Sequence, residues 1–145
     1  MPESSEWREQ RTQAAEAHER ELRRRRAEES ARAHQLLLEF VAEAGRRGLE
    51  PVPLRARSYD GRHRYRTDVT GWYLKLNESV AVGTDGSFYV LGVPTSLTAI
   101  LRGVTLSPSD PPLVLGKGGR DGESIDLPDA IALVLSDWVM PAMGG

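Results

Sequence analysis

Five arginines fall within a short stretch, at Arg55, Arg57, Arg62, Arg64 and Arg66, and Tyr59, His63 and Tyr65 lie among them. Guanidinium groups beside aromatic rings suit phosphates and exposed bases, through bidentate hydrogen bonds and stacking. On a strand, Arg62, Arg64 and Arg66 fall on one face, and His63 and Tyr65 on the other. That pattern points to weak binding of nucleic acid or another polyanion, without sequence preference. Its alternative is an edge strand kept from aggregating by its charge.

A second concentration occupies residues 116–124, Gly-Lys-Gly-Gly-Arg-Asp-Gly-Glu-Ser. Glycine-rich backbone exposes N–H groups, so Lys117, Gly118, Gly119 and Arg120 form a candidate anion nest. The order of a P-loop is absent, and Asp121 and Glu123 bring carboxylates close to any phosphate held there. A small enzyme acting on a phosphorylated ligand would use this segment. The alternative is a mobile surface loop between Leu115 and Ile125.

Catalytic constellations are scarce. The chain has no Cys and three His, at positions 18, 34 and 63. Disulfides, thiolate zinc sites, iron–sulfur clusters and cysteine nucleophiles are therefore excluded. His63 has Asp60 and Asp68 near it in sequence, but both read as ordinary turn residues. Asp110, Asp121, Glu123 and Asp126 lack the spacing of an EF-hand. Neither a nucleophile elbow nor a His-Glu-x-x-His motif occurs. No catalytic residue, metal or cofactor is expected.

The elements that must position these groups begin with a helix. From Ser5 to Ala44 there is no Gly or Pro, and Ala, Glu, Arg, Gln and Leu dominate. Residues 1–48 hold ten Arg and ten Glu, residues 49–70 carry a net +2, and residues 71–145 a net −4, which sum to the overall −2. In the first part Trp7, Ala14, Ala17, Leu22 and Ala27 make no wide apolar stripe, so residues 1–29 read as a charged helical arm, frayed or extended. Trp7, Leu22 and the run Arg23, Arg24, Arg25 and Arg26 are its candidate partner-binding residues; a solvated helix face is the alternative. Residues 30–48 instead place Ala33, Leu37, Phe40, Val41 and Ala44 on one face, which predicts docking. Gly48 is a natural terminator.

Residues 49–140 read as the body. Alternating runs flank Asp60-Gly61, a strong hairpin signal, and further strands follow at Trp72–Leu76, Ser79–Val82 and Ser87–Val93. Ser96 to Arg102 fits a short helix capped by Thr95 or Ser96, or another strand. Val104–Leu106 and Leu113–Leu115 read as short strands. A closing helix starts at Asp126, with Ile131, Val134, Leu135 and Trp138 as its buried stripe; residues 141–145 read as a flexible tail. The expected class is α+β: an antiparallel sheet of about five to seven short strands packed by an N-terminal and a C-terminal helix, with a long charged extension.

The body resembles a group of small actinobacterial proteins of unknown function. The resemblance is carried by Gly71-Trp72-Tyr73-Leu74, by Val82-Gly83-Thr84-Asp85-Gly86-Ser87-Phe88-Tyr89-Val90-Leu91, and by Asp110-Pro111-Pro112-Leu113-Val114 with Gly119-Arg120-Asp121-Gly122-Glu123-Ser124. It covers residues 54–136, leaves the arm out, and implies a bacterial setting without an activity. The start of the chain is acidic and lacks an apolar signal region, so a cytoplasmic location is expected, with no membrane partner. The expected function is a non-catalytic binding or adaptor protein. It would act through its arm on a protein partner or a second copy, and through its basic hairpin, with nucleic acid as an alternative partner.

Overall fold

The structure is a computed structural model that describes the backbone of residues 2–116 and 124–144, and the side chains of residues 4–116 and 124–136. It is α+β. The elements in chain order are α1 (Pro2–Arg47), β1 (Val52–Ser58), β2 (Arg64–Tyr73), β3 (Val80–Gly83), β4 (Phe88–Val90), β5 (Gly92–Val93), α2 (Leu97–Arg102), β6 (Val114–Leu115), β7 (Ile125–Asp126) and α3 (Leu127–Gly144).

α1 is one uninterrupted helix of 46 residues, about 69 Å long at 1.5 Å per residue. Its two halves differ in what they touch. Ala33, Leu37, Phe40 and Ala44 are buried, spaced to face one side. Residues 4–29 are exposed apart from half-buried Glu21 and Leu22. The helix ends in a Schellman arrangement, in which the Leu49 N–H donates to the Ala44 carbonyl at 2.9 Å across Gly48. The Leu49 carbonyl then accepts from the Trp72 indole at 3.3 Å. Trp72 meets Phe40 edge-on, with centroids 5.4 Å apart and planes at 90°.

The main sheet has the order β4-β3-β2-β1-β5, antiparallel except for the parallel β1–β5 pair. Only Leu91 separates β4 at one end of that order from β5 at the other. The sheet therefore curls until its ends meet, and buried Leu91 sits at the join, bonded through its carbonyl to the Arg57 N–H. Two cores follow from the curl. Leu54, Ala81, Tyr89 and Leu91 fill its inside, with Val69, Tyr73 and Leu106 against them. Trp72, Leu74, Val82 and Phe88 point outward and are covered by α1, Leu115 and the Leu127 and Ala130 face of α3.

Tight passage through the curl has a sequence cause. A Cβ on Gly71 would lie 2.0 Å from the Val82 carbonyl oxygen, so only glycine admits the close β2–β3 approach. A bulge between Pro53 and Arg55 bends β1 and leaves backbone groups without ladder partners. The Tyr73 hydroxyl accepts from the Arg55 N–H at 3.0 Å, and the Thr67 hydroxyl donates to the Leu54 carbonyl at 2.7 Å.

Several sequence expectations shift. The strand expected at Trp72 is the end of a ten-residue β2 that starts at Arg64. Val104 makes only a bridge to Thr67, and Leu113–Leu115 pairs with β7 in a separate two-stranded sheet. Ser96 to Arg102 resolves to a helix, with the Ala99 N–H donating to the Ser96 hydroxyl at 3.2 Å. In α3, Ile131, Val134 and Leu135 pack against the outer core. The side chain of Trp138 and the expected tail at 141–145 lie outside the described side chains.

Candidate binding surface

The hairpin places its arginines by register. Arg55 faces Arg66 and Arg57 faces Arg64, while Ala56 faces Tyr65 between them. All four arginines are exposed on the outside of the curl, beyond the part that α1 and α3 cover. Facing Cα atoms in such ladders are about 5 Å apart and alternate residues about 7 Å, so four guanidiniums share one small field. Arg64 pairs with the Glu78 carboxylate, and Arg66 donates to the Leu101 carbonyl at 3.4 Å. Among the described residues no ion pair involves Arg55, Arg57, Arg62 or Arg66.

This arrangement corrects the expected row. Arg62 and His63 belong to the turn, and the strand begins at Arg64, so the arginine set is two facing pairs rather than Arg62, Arg64 and Arg66. The reason is the turn. Instead of a two-residue Asp-Gly turn, the loop is closed by the Ser58 N–H donating to the His63 carbonyl at 2.9 Å. Asp60 organises it by accepting from the Ser58 hydroxyl, from the Arg62 N–H at 3.0 Å and from the Thr95 hydroxyl at 3.4 Å. Those bonds, the Ser58 one first, hold the Asp60 carboxyl below the usual aspartate value.

The aromatic partners are also redistributed. Tyr65 is 2% exposed, its hydroxyl accepting from the Ser96 N–H at 3.1 Å, so it is a core residue and offers no ring to a base. His63 is half-buried and stacked on Tyr65, with centroids 5.9 Å apart. Only Tyr59 of the three projects, 71% exposed, with its ring over Gly92 beside Arg57.

Edge protection suits Arg64, where β2 has no outer strand, because β3 pairs with β2 only at Gly71, Trp72 and Tyr73. β1 lies between β2 and β5. Where β2 passes Arg66 its outer side is taken by the Val104 N–H, which donates to the Arg66 carbonyl at 2.7 Å. Gly103, at φ 78, makes that approach possible: a Cβ there would lie 2.8 Å from the same carbonyl oxygen.

One component escaped the sequence reading. α2 buries Ala99 and leaves Leu97 80% and Leu101 78% exposed, with Ile100 half-exposed beside them. Two of them adjoin the arginines: Ile100 lines a shallow groove of about 250 Å³ with Arg55, Arg64, Arg66 and His63, and the Leu101 carbonyl accepts from Arg66. The signal was present as the spacing 97, 100, 101 after a capping serine, which marks one helical face. Nothing in the sequence indicated that this face would stay uncovered.

Elsewhere the candidates separate. Lys117, Gly118, Gly119 and Arg120 lie outside the described residues. In the arm, Arg24 and Arg25 pair with Glu21 at 2.6 and 3.2 Å, and Arg24 also reaches Glu28 at 3.4 Å. The Arg24 bond leads in holding the Glu21 carboxyl below its ordinary value. Arg23 and Arg26 are exposed with no ion pair among the described residues, Leu22 is half-buried, and Trp7 is exposed. A larger groove of about 780 Å³ runs between Tyr73–Glu78 and the β7–α3 segment, with largely apolar walls. Among the described residues no group of three or more His, Cys, Asp or Glu is placed to hold a metal ion. No helix among them is long and apolar enough to cross a membrane.

Comparison with protein-family models, with curated proteins and with solved structures finds no match to the chain.

Proposed function

We propose that this is a non-catalytic binding protein whose working surface is the arginine face of β1–β2 with the apolar side of α2. The observation that supports it is the placement of four exposed arginines at facing positions of one ladder, three of them, Arg55, Arg57 and Arg66, without an ion pair among the described residues. Like charges directly opposite one another destabilise a ladder, by about 0.2–1 kcal/mol per pair. Two such pairs side by side concentrate positive charge that the sheet itself does not neutralise, and are suited to an external anion. A partner that combines carboxylates or phosphates with an apolar anchor fits both halves of the surface. The resemblance over residues 54–136 and the lack of cysteine favour a bacterial cytoplasm as its setting.

Nucleic acid is the second reading, favoured by the exposed Tyr59 ring beside Arg57. Burial of Tyr65 and its stack with His63 remove the other rings that such binding would use.

Fluorescence anisotropy distinguishes the two. Labelled poly-L-glutamate and a labelled single-stranded oligonucleotide are titrated with the full chain at several salt concentrations. The expected result is polyglutamate binding that weakens with salt and falls about tenfold or more in Arg55→Ser/Arg57→Ser/Arg66→Ser. Equal binding by parent and variant contradicts the proposal. A preference for the oligonucleotide at matched charge moves the second reading to first.

A further inference from the structure

The arm presents chemistry that matches this surface. Near its start, Glu6, Trp7, Glu9 and Gln10 share an arc of about 160° on the helix, at 100° per residue, while Arg8 falls on the opposite side. Glu6 and Glu9 are exposed and without an ion pair among the described residues. Trp7 is 58% exposed, with the Arg11 guanidinium held over its ring at 4.4 Å. An acidic strip flanked by a large aromatic ring is the complement of four arginines flanked by Leu97, Ile100 and Leu101.

The tip cannot serve its own body. α1 is continuous from Pro2 to Arg47, and its first buried residue is Ala33. Trp7 therefore stands about 39 Å along a rigid axis from the first docked turn. No glycine or proline interrupts that span to let it fold back.

We infer that the tip of α1 seats on the arginine face of a second copy of this chain, reciprocally, in a dimer. The inference rests on the binding reading above and names its partner. Trp7 packs on Leu97 and Leu101 of the second copy, and Glu6 and Glu9 face its Arg55, Arg57 and Arg66. Exchange of two identical contacts closes the pair with two-fold symmetry, and each copy's arginine face is filled by the other's tip. Each contact is small, so the pair depends on both being made together.

Sedimentation equilibrium on the full chain at low salt is the test. The parent is expected at twice the monomer mass, with association weakening as salt rises. Trp7→Ala combined with Glu6→Lys/Glu9→Lys is expected to lower the association constant about tenfold or more. These side chains are exposed and touch nothing in the body, so loss of folding does not confuse that result. Charge reversal supplies the second arm: Glu6→Arg/Glu9→Arg and Arg55→Glu/Arg57→Glu are each expected to be monomeric alone and to associate when mixed. A parent that stays monomeric overturns the inference, as does a dimer indifferent to both sets of changes. Uptake of a monomeric parent by anionic phospholipid vesicles, lost in Leu97→Ser/Leu101→Ser, also overturns it and assigns the ridge to a membrane. A monomeric parent that still binds polyglutamate through its arginines leaves the broader binding reading standing. A parent that does neither removes both.

Discussion

Arg55 shows what is at stake at the scale of a residue. It faces Arg66 across the ladder, has no ion pair among the described residues, and projects beyond the helices that cover the rest of the sheet. Arg55→Thr removes one repulsive pair and adds β-propensity, so it is expected to raise the unfolding free energy by about 0.5 kcal/mol in urea denaturation. The same change is expected to weaken polyglutamate binding. Destabilisation with unchanged binding would show instead that the arginine is structural. Asp60 gives a pH prediction. Its folded value is depressed below 3.8, first by the Ser58 bond, so its contribution is present above that pH and is lost as pH falls through the depressed value. The Arg62 amide resonance is expected to show an acidic titration step with its midpoint below pH 3.8, and to lose that step in Asp60→Asn. A midpoint above 3.8 would contradict the hydrogen-bonding account.

The hairpin, the bulge and α2 act as one element, and each holds the others' backbone groups. Thr67→Val keeps the shape but removes the donor to Leu54 and the acceptor for Val69. The expected cost is about 1–2 kcal/mol in the same denaturation measurement, and a neutral result would mean that water satisfies the bulge. At this scale the sequence was legible where a local rule decides. Alternation announced the strands and Gly48 the end of α1, while residues 96–102 stayed open between a helix capped by Thr95 or Ser96 and a strand. It was less legible where the outcome depends on the curl. Tyr65 and Arg64 alternate as any half-buried strand does, and only closure around Leu91 determines that Tyr65 turns inward. The arginine pairs likewise follow from a register set by the bulge and by a turn longer than Asp60-Gly61 suggests. The exposure of Leu97 and Leu101 had no local signal, because it depends on what the rest of the chain fails to cover.

Across the whole molecule, the helices cover one part of the outer sheet and leave the other bare. Phe40 and Trp72 mark the covered part; Phe40→Ala is expected to cost about 3–5 kcal/mol, since it opens a cavity beneath the indole and between α1 and the sheet. A thermal melt with a small shift would mean that α1 is held elsewhere. The α+β class, the long amino-terminal helix and the closing helix were all legible in composition and periodicity. The closure of the sheet was not, because one residue between two strands carries no signal of which neighbours they will choose. The bare part joins four arginines to an apolar ridge, and the account rests on that juxtaposition. Amide chemical-shift mapping of the full chain with unlabelled poly-L-glutamate tests it most directly. Shifts concentrated at Arg55, Arg57, Arg64, Arg66 and the turns of α2 are the predicted result, and shifts confined to Arg23–Arg26 of the arm, or none, would contradict it.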